Sequence, residues 1–152
     1  RDTANRFDID LLTGRLDDAV RFVRAHAPTR PLPLGLFGAS TGAASALRVA
    51  AHRPDDVRAV VSRGGRPDLT GERLLAAVRA PTLLIVGGQD HGVIELNEAA
   101  RDALVHCNRE LAIVPGATHL FEEPGTLDEV ARLATAWFAR HLTPAPRNER
   151  GE

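Results

Sequence analysis

The sequence predicts an α/β fold, a parallel sheet of about four strands with flanking helices, on three observations. Apolar runs without polar alternation recur along the chain, as strands buried on both faces require. Each run is followed by a segment of similar length with helical spacing. Joints rich in glycine and proline separate the segments.

The elements follow in order. Residues 15–27 put Leu16, Ala19, Val20 and Val23 on one helical stripe, and Pro28 and Pro31 end it. Residues 34–37 form a short buried strand, and residues 40–52 a helix stopped by Pro54. Residues 57–62, VRAVVS, are a β-branched strand leading to a Gly64-Gly65 turn and Pro67. A helix over 72–79 closes at Pro81, and 82–86, TLLIV, is a continuous apolar strand. A helix over 93–105, a strand over 110–114 and a helix over 126–141 complete the pattern. Residues 1–142 read as one partial domain and 143–152 as a polar, disordered tail.

Right-handed crossovers that all move the same way put the connecting helices on one face of the sheet. Only the last helix is then free for the other face. One face is expected to be half bare, with an unpaired edge at 34–37. That imbalance, together with a chain that contains no Met, leads us to expect further N-terminal strands before Arg1.

Size and composition narrow the function classes. A chain of 152 residues with 43% hydrophobic content suits a single core. The net charge of −1, with both signs interspersed, offers no basic face for nucleic acid. No apolar run has the length of a membrane span, and the first residues lack a signal-peptide pattern. The single cysteine, Cys107, excludes an internal disulfide framework and suits a reducing, cytoplasmic setting. Its expected role is an apolar filler near a helix end, with a reactive thiol as the alternative.

The candidate chemistry centres on Gly38-Ala39-Ser40-Thr41-Gly42, which matches G-x-S-x-G with a strand before it and a helix after it. Small residues at 38 and 42 are expected to relieve clashes in so abrupt a turn. The bend would expose the Ser40 hydroxyl above the sheet, while the Thr41 amide at the helix N-terminus favours negative charge. The plainer reading is a glycine-rich turn with Ser40 as helix cap.

A serine nucleophile needs a base, and the base needs an acid to fix its tautomer. Functional groups on parallel sheets gather beyond the carboxyl ends of strands. Asp90 follows TLLIVGG and His119 follows ELAIVPGAT, so Ser40, Asp90 and His119 occupy three strand ends on one rim. The remaining histidines His26, His52, His106 and His141 fall near helix C-termini, where the helix dipole explains them. His91 is the alternative base, and Asp90 has an alternative role as a turn or cap residue. Arg63, on the same rim, is either a contact for an anionic substrate group or a solvated turn residue. Glu122-Glu123 is expected to cap or precede the last helix, or to pair with Arg63. No zinc spacing or phosphate-binding glycine loop is present.

At these residues the sequence resembles the α/β-hydrolase superfamily, in its dienelactone-hydrolase-like branch. The stretches GLFGASTGAASAL, VVSRGGRPDL, PTLLIVGGQDHGVIELN and VPGATHLFEEPG carry the likeness, over residues 7–142. The resemblance implies the C-terminal part of an α/β-hydrolase fold, with Ser40 as nucleophile, Asp90 as acid, His119 as base and the Thr41 amide as one oxyanion donor. It also implies a second donor from early strands, and nothing in residues 1–13 resembles that loop. Members of the branch occur fused to phosphoribosyltransferase domains. Dienelactone hydrolases themselves use cysteine as nucleophile, so serine here does not carry lactone specificity with it.

The expected function is a serine hydrolase acting on a small-molecule ester, thioester or related acyl substrate, without metal or organic cofactor. The alternatives are a non-catalytic hydrolase-like module beside a phosphoribosyltransferase, or an acyltransferase using the same residues.

Overall fold

The structure, a computed structural model, describes residues 2–143, with side chains from residue 8 onward. The element order is α1 (Asp2–Ala25), β1 (Leu34–Ala39), α2 (Thr41–His52), β2 (Val57–Arg63), α3 (Glu72–Ala77), β3 (Thr82–Gly87), α4 (His91–Ala103), β4 (Arg109–Val114) and α5 (Thr126–Leu142). A short 3-10 helix, Pro67–Thr70, precedes α3. The expected tail falls almost entirely outside the described residues.

The four strands form one parallel sheet in the order β1-β2-β3-β4. Every residue of β3 is buried, as a central strand covered on both faces demands. Side-chain alternation divides the core in two. Leu36, Val60 and Leu84 face one way and pack with Val20 of α1, Leu47 and Val49 of α2, Leu75 of α3 and Ala100 of α4. Val61, Leu83 and Ile85 face the other way, toward Val130, Ala134 and Trp137 of α5. Four helices therefore share one face and α5 covers the other.

That division leaves a mark on β1. Among the described residues β1 is an edge strand, and Phe37 on its α5 side remains 51% exposed. Gly35, on the same side, lies under α5: a Cβ there would come within 2.6 Å of the Phe138 ring.

The first helix differs from expectation. The sequence pattern predicts it over 15–27, whereas it runs from Asp2 to Ala25, straight through Gly14, which breaks the pattern but sits in open space. Tertiary contacts explain the extension. Ile9 is buried, Arg48 of α2 reaches Asp10 at 2.7 Å, and Ser45 Oγ donates to the Ile9 carbonyl at 3.4 Å. Further along, Arg53 grips Asp17 at 2.5 and 3.2 Å, so α1 is laced to α2 at both ends of the pair. Burial of one face outweighs the ~1 kcal/mol that an interior glycine costs a helix.

Candidate active site

The strand β1 ends where α2 begins, and a single residue makes the turn. Ser40 has φ 50 and ψ −123, a left-handed conformation that L side chains rarely adopt. Such a backbone stores about 1–3 kcal/mol and persists only where its surroundings hold it. Here three bonds do so. Ser40 N–H donates to the Arg63 carbonyl at 3.4 Å, while its own carbonyl accepts from Arg66 N–H at 3.1 Å and Ala43 N–H at 3.2 Å.

The bend brings the chain onto itself at Gly38, where a Cβ would lie 2.4 Å from the Gly42 carbonyl oxygen. At Gly42, by contrast, a Cβ would meet nothing within 4 Å. The expectation that both glycines relieve clashes holds at 38 and fails at 42. Only the Gly38 Cα faces the returning backbone. Ser40 does occupy the N-cap position of α2, but its side chain makes no capping bond.

Its hydroxyl turns instead to His119: Ser40 Oγ lies 3.1 Å from His119 Nε2. On the far side of the ring, His119 Nδ1 lies 2.7 Å from Asp90 Oδ2. Asp90 likewise occupies an N-cap position, that of α4, without a side-chain capping bond. The imidazole is 40% exposed and the carboxylate 16%, so the hydrogen-bonded row runs from a sheltered acid to an accessible ring. His91 begins α4 with its side chain exposed to solvent.

Two backbone seams hold the Asp90 and His119 loops together. Gly88 N–H donates to the Val114 carbonyl and Gln89 N–H to the Ala117 carbonyl, each at 2.9 Å. The approach is close enough that a Cβ at Gly87 would come 2.4 Å from the Ala117 oxygen. Behind Ser40, buried Asn97 of α4 donates to the Gly65 carbonyl at 3.2 Å and to the Val93 carbonyl at 2.8 Å. It thereby anchors the turn on which Ser40 rests. Sequence reasoning passed over Asn97, because a polar residue in a helix normally signals the solvent side.

Thr41 is the first residue of α2, so its N–H has no carbonyl one turn back to bond. Arg63 pairs with Ala39 across the sheet, and its guanidinium stands over the Phe121 ring, 5.5 Å from the centroid. Its Nε is buried without a partner, and among the described residues it joins no ion pair. Glu123 does not pair with it. The Glu123 carboxylate accepts instead from Thr118 N–H at 2.9 Å and Thr118 Oγ1 at 2.7 Å, and these two donors hold its pKa below the usual carboxylate value. Cys107 packs against the core beneath α4, and burial pushes its thiol up, as an apolar filler behaves. Among the described residues, no group of three or more His, Cys, Asp or Glu could hold a metal ion, and no helix is long and apolar enough to cross a membrane.

Comparison with known proteins places this chain in a family. Two Mycobacterium tuberculosis proteins, from strains CDC 1551 and H37Rv, carry the provisional name phosphoribosyl transferase and are 56% identical over 147 residues. Those residues are 96% of this chain and 33% of each relative, so the chain spans about a third of their length. A dienelactone hydrolase from Anabaena variabilis superposes with a TM-score of 0.87 at 52% identity, covering 90% of this chain and 62% of that one. The esterase domain of a Rhodothermus marinus protein follows with 0.71 at 25% identity, covering 86% and 69%. The family model described as "Dienelactone hydrolase family" matches residues 3–142. With an α/β-hydrolase fold and a match over nearly its whole length, this chain belongs to the dienelactone hydrolase family.

Proposed function

We propose that the chain carries the catalytic residues of a serine hydrolase acting on an ester, thioester or related acyl substrate. The observation that supports this most is the continuous row from Ser40 Oγ through His119 to Asp90, at 3.1 and 2.7 Å. His119 Nε2 takes the Ser40 proton as the oxygen attacks the acyl carbonyl carbon. Asp90 fixes the tautomer that leaves Nε2 free and steadies the imidazolium. The tetrahedral oxyanion accepts a bond from the Thr41 N–H, where the helix N-terminus favours negative charge. Collapse expels the alcohol or thiol, protonated by His119, and leaves an acyl-serine. Water, deprotonated by His119, then attacks that ester and restores Ser40. An acceptor other than water would make the same residues an acyltransferase.

Arg63 narrows the substrate. A half-buried side chain whose backbone bonds that of Ser40 and whose guanidinium stands over Phe121, joined to no carboxylate among the described residues, suits a substrate bearing an anionic group. In the whole protein we infer a neighbouring phosphoribosyltransferase segment, on the names and lengths of the mycobacterial relatives. The same names support the second reading, a hydrolase-like module without turnover of its own.

The test is turnover of p-nitrophenyl esters by the whole protein and by Ser40→Ala, His119→Gln and Asp90→Asn. The proposal expects each substitution to lower kcat by about a thousandfold or more. A wild type that turns over no ester, or variants that match it, would favour the module.

A further inference from the structure

The loop that carries His119 is pinned on either side of that residue, by the Gln89 N–H bond to the Ala117 carbonyl and by the buried Phe121 side chain, while the imidazole between them is 40% exposed. Its side chains face outward at Leu120, which is 58% exposed, and the backbone turns through a left-handed residue at Phe121, with φ 55. One backbone bond, Phe121 N–H to the Thr118 carbonyl at 3.2 Å, spans its tip. A histidine that must meet a hydroxyl and a carboxylate at once needs a firmer frame, since a misplacement of about 1 Å can cost about a hundredfold in rate.

Glu123 supplies a frame. Its two carboxylate oxygens take the two donors of Thr118, the residue before His119, and so close a ring over residues 118–123. The other end of Glu123 is fixed to α5: its carbonyl accepts from Thr126 N–H at 3.1 Å and Thr126 Oγ1 at 2.8 Å. The first turn of a helix buried against the sheet is thus connected, through one residue, to the peptide that enters His119. This arrangement differs from an ordinary helix cap, in which the side chain would bond the amides of α5 itself. The N-cap of α5 is Gly125, and no side chain caps it.

We propose that Glu123 is a positioning residue, whose two-point clasp on Thr118 sets the path of the loop so that His119 reaches Ser40 and Asp90 together. The inference rests on the hydrolase reading for its kinetic consequence, and on the hydrogen-bonded row alone for its structural one.

The experiment compares Glu123→Ala, Glu123→Gln and Thr118→Val in the whole protein. One readout is the rate of Ser40 labelling by a fluorophosphonate. The other is the far-downfield NMR resonance of the His119 proton shared with Asp90. Glu123→Ala is expected to slow labelling about tenfold or more and to broaden or erase the resonance. Thr118→Val, which keeps the side-chain shape but loses one of the two bonds, is expected to fall between. Glu123→Gln is expected to stay within about threefold, because an amide can accept from the Thr118 N–H and donate to its hydroxyl. Glu123→Ala and Thr118→Val that label at the wild-type rate with the resonance intact overturn the proposal. So does a Glu123→Gln as impaired as Glu123→Ala. If Glu123→Ala fails to fold, the other two variants decide. If the wild type does not label, the hydrolase reading fails separately, and the resonance alone judges the clasp.

Discussion

The guanidinium of Arg63 stands 5.5 Å from the centre of the Phe121 ring, a cation still in need of an anion over a ring face that attracts cations. The stacking fixes Arg63 at the rim without neutralising it. If the substrate supplies the countercharge, Arg63→Leu raises KM for an ester bearing a carboxylate by about tenfold or more, while kcat stays within a few-fold. A neutral ester of equal size should be nearly indifferent. Steady-state kinetics on the matched pair reads the difference, and equal losses on both would assign Arg63 to packing.

Gly38 and Gly42 make a paired prediction. Gly38→Ala drives a methyl into a backbone carbonyl that cannot swing away, and should destabilise by about 1–3 kcal/mol or more. Gly42→Ala points a methyl into open space inside a helix and should be neutral or stabilising by up to about 1 kcal/mol. Urea unfolding of the two variants measures both.

The strained backbone at Ser40 reverses a familiar order. Alanine normally exceeds glycine in a folded chain, yet at φ 50 and ψ −123 the Cβ is the source of the strain. Ser40→Gly should therefore be more stable than Ser40→Ala by about 1 kcal/mol. Equal stability of the two would show that the turn holds no strain.

His141 gives the fold a slope with pH. Burial, aided by the neighbouring Arg140 and only partly opposed by Glu110, holds its pKa below the ordinary histidine value, with its ring against Trp137 at 4.3 Å. The folded protein thus binds this proton less readily than the unfolded chain. Stability is fully present above the ordinary value near 6.5 and falls as pH drops through it toward the depressed folded value. Urea midpoints followed downward from about one pH unit above that ordinary value should show the fall in wild type and a shallower one in His141→Gln.

Much of this architecture is legible in the residues. Strands such as Val57–Arg63 and Thr82–Gly87 declare themselves through unbroken apolar runs, because a central parallel strand has no wet face. That Ser40, Asp90 and His119 share one rim follows from their positions after β1, β3 and β4; their chemical roles rest on the proposal. What stays hidden depends on contacts between distant segments. Gly14 conceals the first half of α1, which the packing of Ile9 and the contacts of α2 with Ile9 and Asp10 explain. Asn97 looks like a solvent residue until the Gly65 carbonyl arrives to meet it. Glu123 looks like a helix cap until the loop folds back to offer Thr118.

The proposed roles of Ser40 as nucleophile and His119 as its base stand or fall together. The most direct measurement is peptide-resolved mass spectrometry of the whole protein after reaction with a fluorophosphonate. One stoichiometric adduct is expected on the peptide containing Ser40, formed about a thousandfold more slowly in His119→Gln. An adduct on another residue, or labelling of Ser40 that is indifferent to the loss of His119, would contradict those roles.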